Sequence, residues 1–294
     1  MLYLTHFSFP DAEREFDFFL GVKRTCYDSY YPFQVFPERG LTGLDFEPVT
    51  ILCGGNGCGK STALNVITEA LGAARDTRYN RSNFFEDYVA LCDFEHRGPS
   101  PAEIRIIASD DVFDFMLNLR AINEGIDRKR EQLYDEYIVD KHARFQLRSM
   151  DDYEELQRIN LARRKTQSKY VRERLMDNPR EHSNGESALM YFQSKLKDGG
   201  LYLLDEPENS LSPEKQLELA QFLEESVRFF GCQLVIATHS PILLAMRGAK
   251  IYHLDETPVR VRRWTELPSV RTWYDFFRSH KAELDSARPD EKPW

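Results

Sequence analysis

The chain has 294 residues, 41% hydrophobic and 13% aromatic, enough to bury one sizeable core with an appended lobe or two small domains. Its formal net charge of −9 argues against a protein that coats nucleic acid generally, so DNA as a partner is unsupported by charge and would need a local basic groove or an assembly. No apolar run approaches the roughly 18 to 20 residues of a spanning helix, residues 1–10 carry no mark of a secretion signal, and the five cysteines lack Cys-x-x-Cys spacing, which together lead us to expect no membrane span, reduced thiols and a cytoplasmic protein.

Residues 2–9, Leu-Tyr-Leu-Thr-His-Phe-Ser-Phe, alternate with period two and predict a strand. Aromatics crowd residues 16–36, broken by Pro32, Pro37 and Gly40, and are expected to form short antiparallel strands and loops. The segment 49–53, Val-Thr-Ile-Leu-Cys, is a β-branched apolar strand. It runs directly into Gly54-Gly55-Asn56-Gly57-Cys58-Gly59-Lys60-Ser61-Thr62, the Gly-x-x-x-x-Gly-Lys-Ser spacing of a phosphate-binding loop. Glycines there let backbone N–H groups turn inward around an anion. Lys60 adds a point charge for the outer phosphates, and Ser61 is placed to give its hydroxyl oxygen to Mg²⁺. The helix that follows, apolar at Leu64, Ile67 and Leu71, aims its positive end at the same phosphates. Strand, loop and helix together call for a nucleoside triphosphate. An aromatic from 16–36 has the shape to stack on its purine, although ordinary core packing explains such ring density without a base.

A loop at 75–82 and a strand at 103–107 follow. From residue 110 to about 180 the chain is dense in Arg, Lys, Glu and Asp and nearly free of Gly and Pro, which predicts an inserted lobe of helices joined by short loops. Its mixed charges suit solvated helix faces better than a nucleic-acid surface, and it lacks the sustained heptads of a long coiled coil. Residues 201–205 restore the α/β pattern as a continuous apolar strand, Ser212 and Pro213 cap the next helix, 233–237 is another strand, and 251–254 with 259–264 form a hairpin. Asp205 and Glu206, at the end of the 201–205 strand, are the carboxylate pair that a phosphate loop requires. The first can hold Mg²⁺, and the second can polarise the water that attacks the γ-phosphorus.

In order and spacing, Ser183-Asn184-Gly185-Glu186-Ser187 opening a helix, Leu204-Asp205-Glu206-Pro207 continuing through Glu208 to Pro213, and Ala237-Thr238-His239-Ser240-Pro241 closing a strand resemble the signature, Walker B, D-loop and switch-histidine motifs of the ATP-binding cassette ATPases. The variant is similar to the RecF, SMC and OLD-like branch, the AAA-family ATPases of bacteria, more than to transporter subunits. The resemblance implies a P-loop α/β cassette core with a flanking antiparallel β layer and an inserted helical lobe. On this reading residues 1–294 are a single domain, with the lobe at 110–182 and the signature, Walker B and switch half at 183–264. It implies ATP and Mg²⁺ as ligands, with Ser61 and Asp205 on the metal and Glu206, His239 and Lys60 as the catalytic set, His239 sensing the γ-phosphate. It also implies an ATP-dependent homodimer in which Ser183 and Gly185 of one subunit cap ATP on the Lys60 loop of the other.

Two departures accompany the likeness. The glutamine that the family places after the strand preceding the lobe is absent, leaving Ser109 and Asp110 as candidates for its role. Ser212 stands where transporter cassettes carry aspartate. The expected function is a nucleotide-driven dimerisation switch, in DNA repair or phage defence beside an effector or nuclease partner. The alternatives are the nucleotide-binding subunit of a membrane transporter and a non-hydrolysing ATP sensor.

Overall fold

The structure, a computed structural model, describes residues 1–23, 26–27, 29–144, 153–175, 184–209 and 211–286. It divides into two units, Met1–Val112 with Ala188–Trp294, and Phe113–Ser187. In the first unit the predicted N-terminal strand is β1 (Leu4–Ser8), which buries Leu4 and Phe7. It lies between β2 (Gly43–Asp45) and β4 (Asp93–His96), antiparallel to both. The stretch between β1 and β2 corrects an expectation for the aromatic segment 16–36, because its first residues, 16–21, are not a short strand but the end of a helix, α1 (Ala12–Gly21). Asp11 is the reason: its carboxylate accepts the Arg14 N–H as an N-cap, and Glu13 and Glu15 favour the positive end of the helix. The rings of this region pack on one another, Phe18 stacked on Phe33 at 4.5 Å and Phe33 edge-on to Tyr88 at 4.9 Å.

The second sheet has the order β5-β6-β7-β3-β8-β9, made by β3 (Val49–Cys53), β5 (Ile104–Ala108), β6 (Leu201–Asp205), β7 (Gln233–Thr238), β8 (Lys250–His253) and β9 (Arg260–Arg262). Every pairing is parallel except the β8–β9 hairpin. β3 and β7 are buried along their whole length, which is why their apolar runs do not alternate. Helix α2 (Lys60–Ala70) follows β3, and the short α3 (Phe85–Val89) precedes β4. Helix α8 (Pro213–Phe230) joins β6 to β7, capped by the Ser212 side chain and closed by Gly231 in a left-handed conformation. Beyond β7 come α9 (Pro241–Leu244), α10 (Pro268–Ser279) and α11 (Lys281–Ser286). No helix among the described residues is long and apolar enough to cross a membrane.

In the Phe113–Ser187 unit the expectation of helices with short loops holds for α5 (Tyr153–Arg164) and α6 (Gln167–Arg172), whereas α4 (Ser109–His142) runs unbroken for 34 residues. Apart from Gly125 nothing in it discourages a helix, and its charges lie at i,i+3 and i,i+4 spacing, as in Arg128–Glu124 and Arg130–Asp127. The unit has its own core of Leu133, Tyr137, Ala162, Tyr170 and Val171, beside which buried Asp140 accepts from Tyr170 Oη at 3.2 Å and pairs with Arg158 at 2.8 Å.

One amide ties the two sheets of the first unit together. Gln233, the first residue of β7, is fully buried. Its Oε1 accepts the Tyr3 and Leu4 N–H groups at 2.7 and 2.9 Å, and its Nε2 donates to the Leu4 carbonyl at 2.8 Å. A primary amide in a core is tolerated only when its bonds are made, and these are made to the backbone of β1. Gln233→Ala leaves two N–H groups and a carbonyl buried without partners, and should lower stability by about 3 kcal/mol in urea unfolding.

Candidate nucleotide site

Parallel register brings three strand ends to one edge of the sheet, Cys53 opposite Thr238 across β3 and β7, and Asp205 opposite Ala237 across β6 and β7. The glycine loop, Glu206 and His239 follow directly from those ends, in the crevice where open α/β sheets bind ligands. The loop needs its glycines sterically. A Cβ on Gly54 would stand 2.6 Å from Cys58 Sγ, and Gly59, at φ +96°, supplies the left-handed residue that starts α2. Asn56 and Gly57 are exposed at the rim, whereas Cys58 is buried, its thiol pushed up by burial against the opposing pull of Lys60.

Lys60 is only 5% exposed, and its Nζ donates to the Gly54 and Gly55 carbonyls at 2.9 and 3.0 Å. Thr62 Oγ1 accepts from Tyr31 Oη at 3.0 Å, so the aromatic segment touches the first turn of α2. Ser61 Oγ donates to Asp205 Oδ1 at 3.0 Å. Burial pushes the Asp205 carboxyl up to about 6, helped by the charges of Glu206 and Glu208 and opposed by the Ser61 hydrogen bond and Lys60. A hydroxyl and a carboxylate oxygen in contact, the carboxylate short of compensating charge, form a donor set suited to a small hard divalent cation.

Glu206 has φ +48°, a left-handed backbone uncommon for a residue with a side chain. Its N–H still pairs with the Ala237 carbonyl at 2.9 Å and its Oε2 accepts from Asn209 Nδ2 at 3.0 Å. The chain therefore leaves the sheet abruptly at this carboxylate, the kind of local cost that the surrounding bonds must sustain. His239 Nδ1 lies 3.8 Å from Glu206 Oε1 and 3.6 Å from Glu208 Oε1.

Glu208 was not singled out in the sequence, yet it organises this corner. It is 5% exposed, and its Oε1 accepts from Thr238 Oγ1 at 2.6 Å, His239 N–H at 3.0 Å and Ser240 N–H at 3.2 Å. Its partners lie some thirty positions along the chain, so no local spacing announces it; a third acid following Asp205 and Glu206 is the faint signal. Arg75, read only as part of a loop, is another. Its Nη2 donates to Asn65 Oδ1 at 2.5 Å and its guanidinium covers the Tyr79 ring at 3.9 Å, while Nε and Nη1 are buried with no partner among the described residues. Burial lowers its basicity, and Tyr79, Asp111, Glu69 and Asp205 oppose that.

The strand β5 runs straight into α4, placing Ser109 and Asp110 in its first turn. Asp110 is exposed, and the buried carboxylate there is Asp111, whose Oδ2 accepts the Ala108 N–H at 2.7 Å. Ser183 lies outside the described residues. Gly185 stands in the first turn of α7 (Asn184–Lys195), in the second unit. The geometry thus brings together, within the first unit, Gly54 to Thr62, Asp205, Glu206 and His239.

Fold and loop define a P-loop nucleotide-binding domain. A protein-family model described as "ABC transporter" matches residues 44–209, more than half of the chain, and the chain belongs to that family of ATP-binding cassette domains. A second model, described as "AAA domain, putative AbiEii toxin, Type IV TA system", matches residues 178–245. No curated protein matches the chain. Among solved structures it is similar to the Smc head domain of Pyrococcus furiosus with an extended coiled coil, bound to the C-terminal domain of ScpA, at 12% identity over 96% of this chain and 100% of that one, TM-score 0.44. It is also similar to the SMC head domain of Thermotoga maritima, at 13% identity over 88% and 98%, TM-score 0.37. CbiO1 of Clostridium perfringens, part of the ABC transporter complex CbiONQ, matches at 16% identity over 84% and 90%, TM-score 0.32.

The raised Asp205 carboxyl has a testable sign. Its folded value of about 6 exceeds the unfolded value of about 4, so ionising it costs the ligand-free fold stability as pH rises through that window. Urea unfolding without nucleotide or metal should show Asp205→Asn gaining on the wild type between about pH 4 and pH 6 and keeping the gain above. A difference independent of pH would contradict the assignment.

Proposed function

We propose that the protein binds Mg²⁺-ATP on the Lys60 loop, hydrolyses it slowly, and uses it as a nucleotide-driven dimerisation switch. The observation that carries this reading is the direct Ser61–Asp205 contact with Glu206 one residue beyond it and His239 beside Glu206. Ser61 and Asp205 would hold Mg²⁺, which supplies charge neutralisation at the outer phosphates. Lys60, its ammonium held on the Gly54 and Gly55 carbonyls, meets the β- and γ-phosphates from there. Glu206 accepts the proton of the attacking water. His239, held through its own backbone N–H by Glu208, faces the γ-phosphate and reports whether it is present. Ser183 and Gly185, in the signature motif, would cap the nucleotide of a second subunit, so that ATP joins the pair.

The switch would act on an effector or nuclease partner, in DNA repair or phage defence. The likeness of residues 178–245 to a toxin-associated AAA domain supports that setting. The five free cysteines support a reducing, cytoplasmic location. The transporter reading draws on the description of the matching family, and a permease copurifying with the protein would favour it.

Lys60→Ala should abolish ATP binding in calorimetry, and unchanged affinity would remove the loop from the mechanism. Glu206→Gln should retain ATP and lose turnover by about 100-fold or more; if the wild type itself shows no turnover, the protein is an ATP sensor. Sedimentation of Glu206→Gln should show a dimer only with ATP, and Ser183→Arg in that background should return it to monomer while ATP still binds. A mass indifferent to ATP would leave an ATPase complete within one chain.

A further inference from the structure

The first half of the phosphate loop is gripped from outside by a turn that no motif marks. Between β8 and β9, residues 254–259 reach back over the loop. The Leu254 N–H donates to the Cys53 carbonyl at 2.8 Å, immediately before the glycines, and Asp255 Oδ2 accepts the Gly55 N–H at 2.8 Å. Arg39 closes the grip by donating to the Leu254 carbonyl at 3.1 Å and the Gly57 carbonyl at 3.2 Å. The Val259 N–H returns a bond to the Arg39 carbonyl at 3.1 Å. On its far side the turn is fixed by buried His253, whose Nε2 faces Asp255 Oδ2 at 3.6 Å and whose Nδ1 contacts Glu256 at 3.2 Å; Arg262 in turn donates to both Glu256 oxygens.

What Asp255 does follows from the planarity of one peptide. The N–H of Gly55 and the carbonyl of Gly54 belong to the same trans peptide unit and point in opposite directions. By holding the N–H outward, the carboxylate turns the carbonyl inward, and that carbonyl is one of the two that receive Lys60 Nζ, at 2.9 Å. Glycines on both sides leave the plane free to rotate, so something must set it. We propose that Asp255 is a positioning residue for nucleotide binding, acting through the Gly54–Gly55 peptide to hold the Lys60 ammonium where the outer phosphates will meet it. The proposal rests on the Lys60 loop being the nucleotide site.

The sign of the effect separates this role from simple electrostatics. A carboxylate near a triphosphate repels it, so removing the charge alone would tighten binding. Positioning predicts the opposite for Asp255→Ala, with binding restored in Asp255→Asn, whose amide oxygen still accepts the Gly55 N–H without the charge. Two measurements test it. ATP affinity by calorimetry should fall about 10-fold in Asp255→Ala, the scale of one charge-assisted hydrogen bond, and stay within about threefold of the wild type in Asp255→Asn. Lys60 acylation in the ligand-free protein, read by mass spectrometry, should rise in Asp255→Ala and not in Glu256→Gln, which loosens the far side of the same turn. Asp255→Ser, too short to reach Gly55, stands in should the alanine variant not fold. Unchanged Lys60 labelling on loss of Asp255, or tighter ATP binding in Asp255→Ala, would overturn the proposal. A wild type that binds no ATP would instead sink the nucleotide reading, while the labelling result still decides what Asp255 does to Lys60.

Discussion

The placement of β7 between β6 and β3 is the constraint on which the rest depends. Each of these strands carries a different piece of chemistry at its end, and the pieces meet only because the parallel pairings stay in register from Leu201 opposite Gln233 to Cys53 opposite Thr238. A slip of one residue would turn every side chain to the other face. Leu234 to Ala237 are fully buried, and such a slip would open the packing of α2 against β7. The apolar interior thus fixes the relative position of Ser61, Asp205, Glu206 and His239 without any of them taking part in the packing.

Much of this was legible because it is local. The glycine spacing, the strand before it, the Ser212–Pro213 cap and the hairpin at 250–262 each announce themselves within a few residues, and their physics is complete at that range. What escaped notice involves partners far apart in the chain. Gln233 reads as an ordinary polar strand start until β1 is seen to end on it, Glu208 as one acid among several until the 238–240 backbone closes over it, and Asp255 as a turn residue until Gly55 is found beneath it. Within the aromatic segment 16–36, residues 16–21 depart from the expected strands for a different reason: the capping role of Asp11 outweighs the weak strand preference of the rings that follow.

Charge is concentrated where the strands end. Asp205, Glu206 and Glu208 lie within a span of four residues and bear on one another, and the field of the other two acids adds to burial in raising Asp205. Glu208 relieves its charge by accepting backbone N–H groups, one of its oxygens remaining buried without a partner. Asp205 has one hydroxyl within hydrogen-bond reach. The corner is thus least comfortable in the ligand-free state, and that discomfort is available to favour a cation.

The reach of Gln233 also bears on how the chain is made. Tyr3 and Leu4 wait for a side chain some 230 positions later, and β3 takes both of its neighbours, β7 and β8, from the same late stretch. A chain emerging from the ribosome therefore exposes an unpaired, largely apolar β3 through most of its synthesis, while the segment 113–187 already holds the partners of its own core. Non-local closure of this kind is slow, and the waiting strand is a hazard for aggregation. Shortening the chain before β7 would remove the middle of the sheet rather than its margin, so the late residues are the keystone of a fold whose recognisable motif comes early.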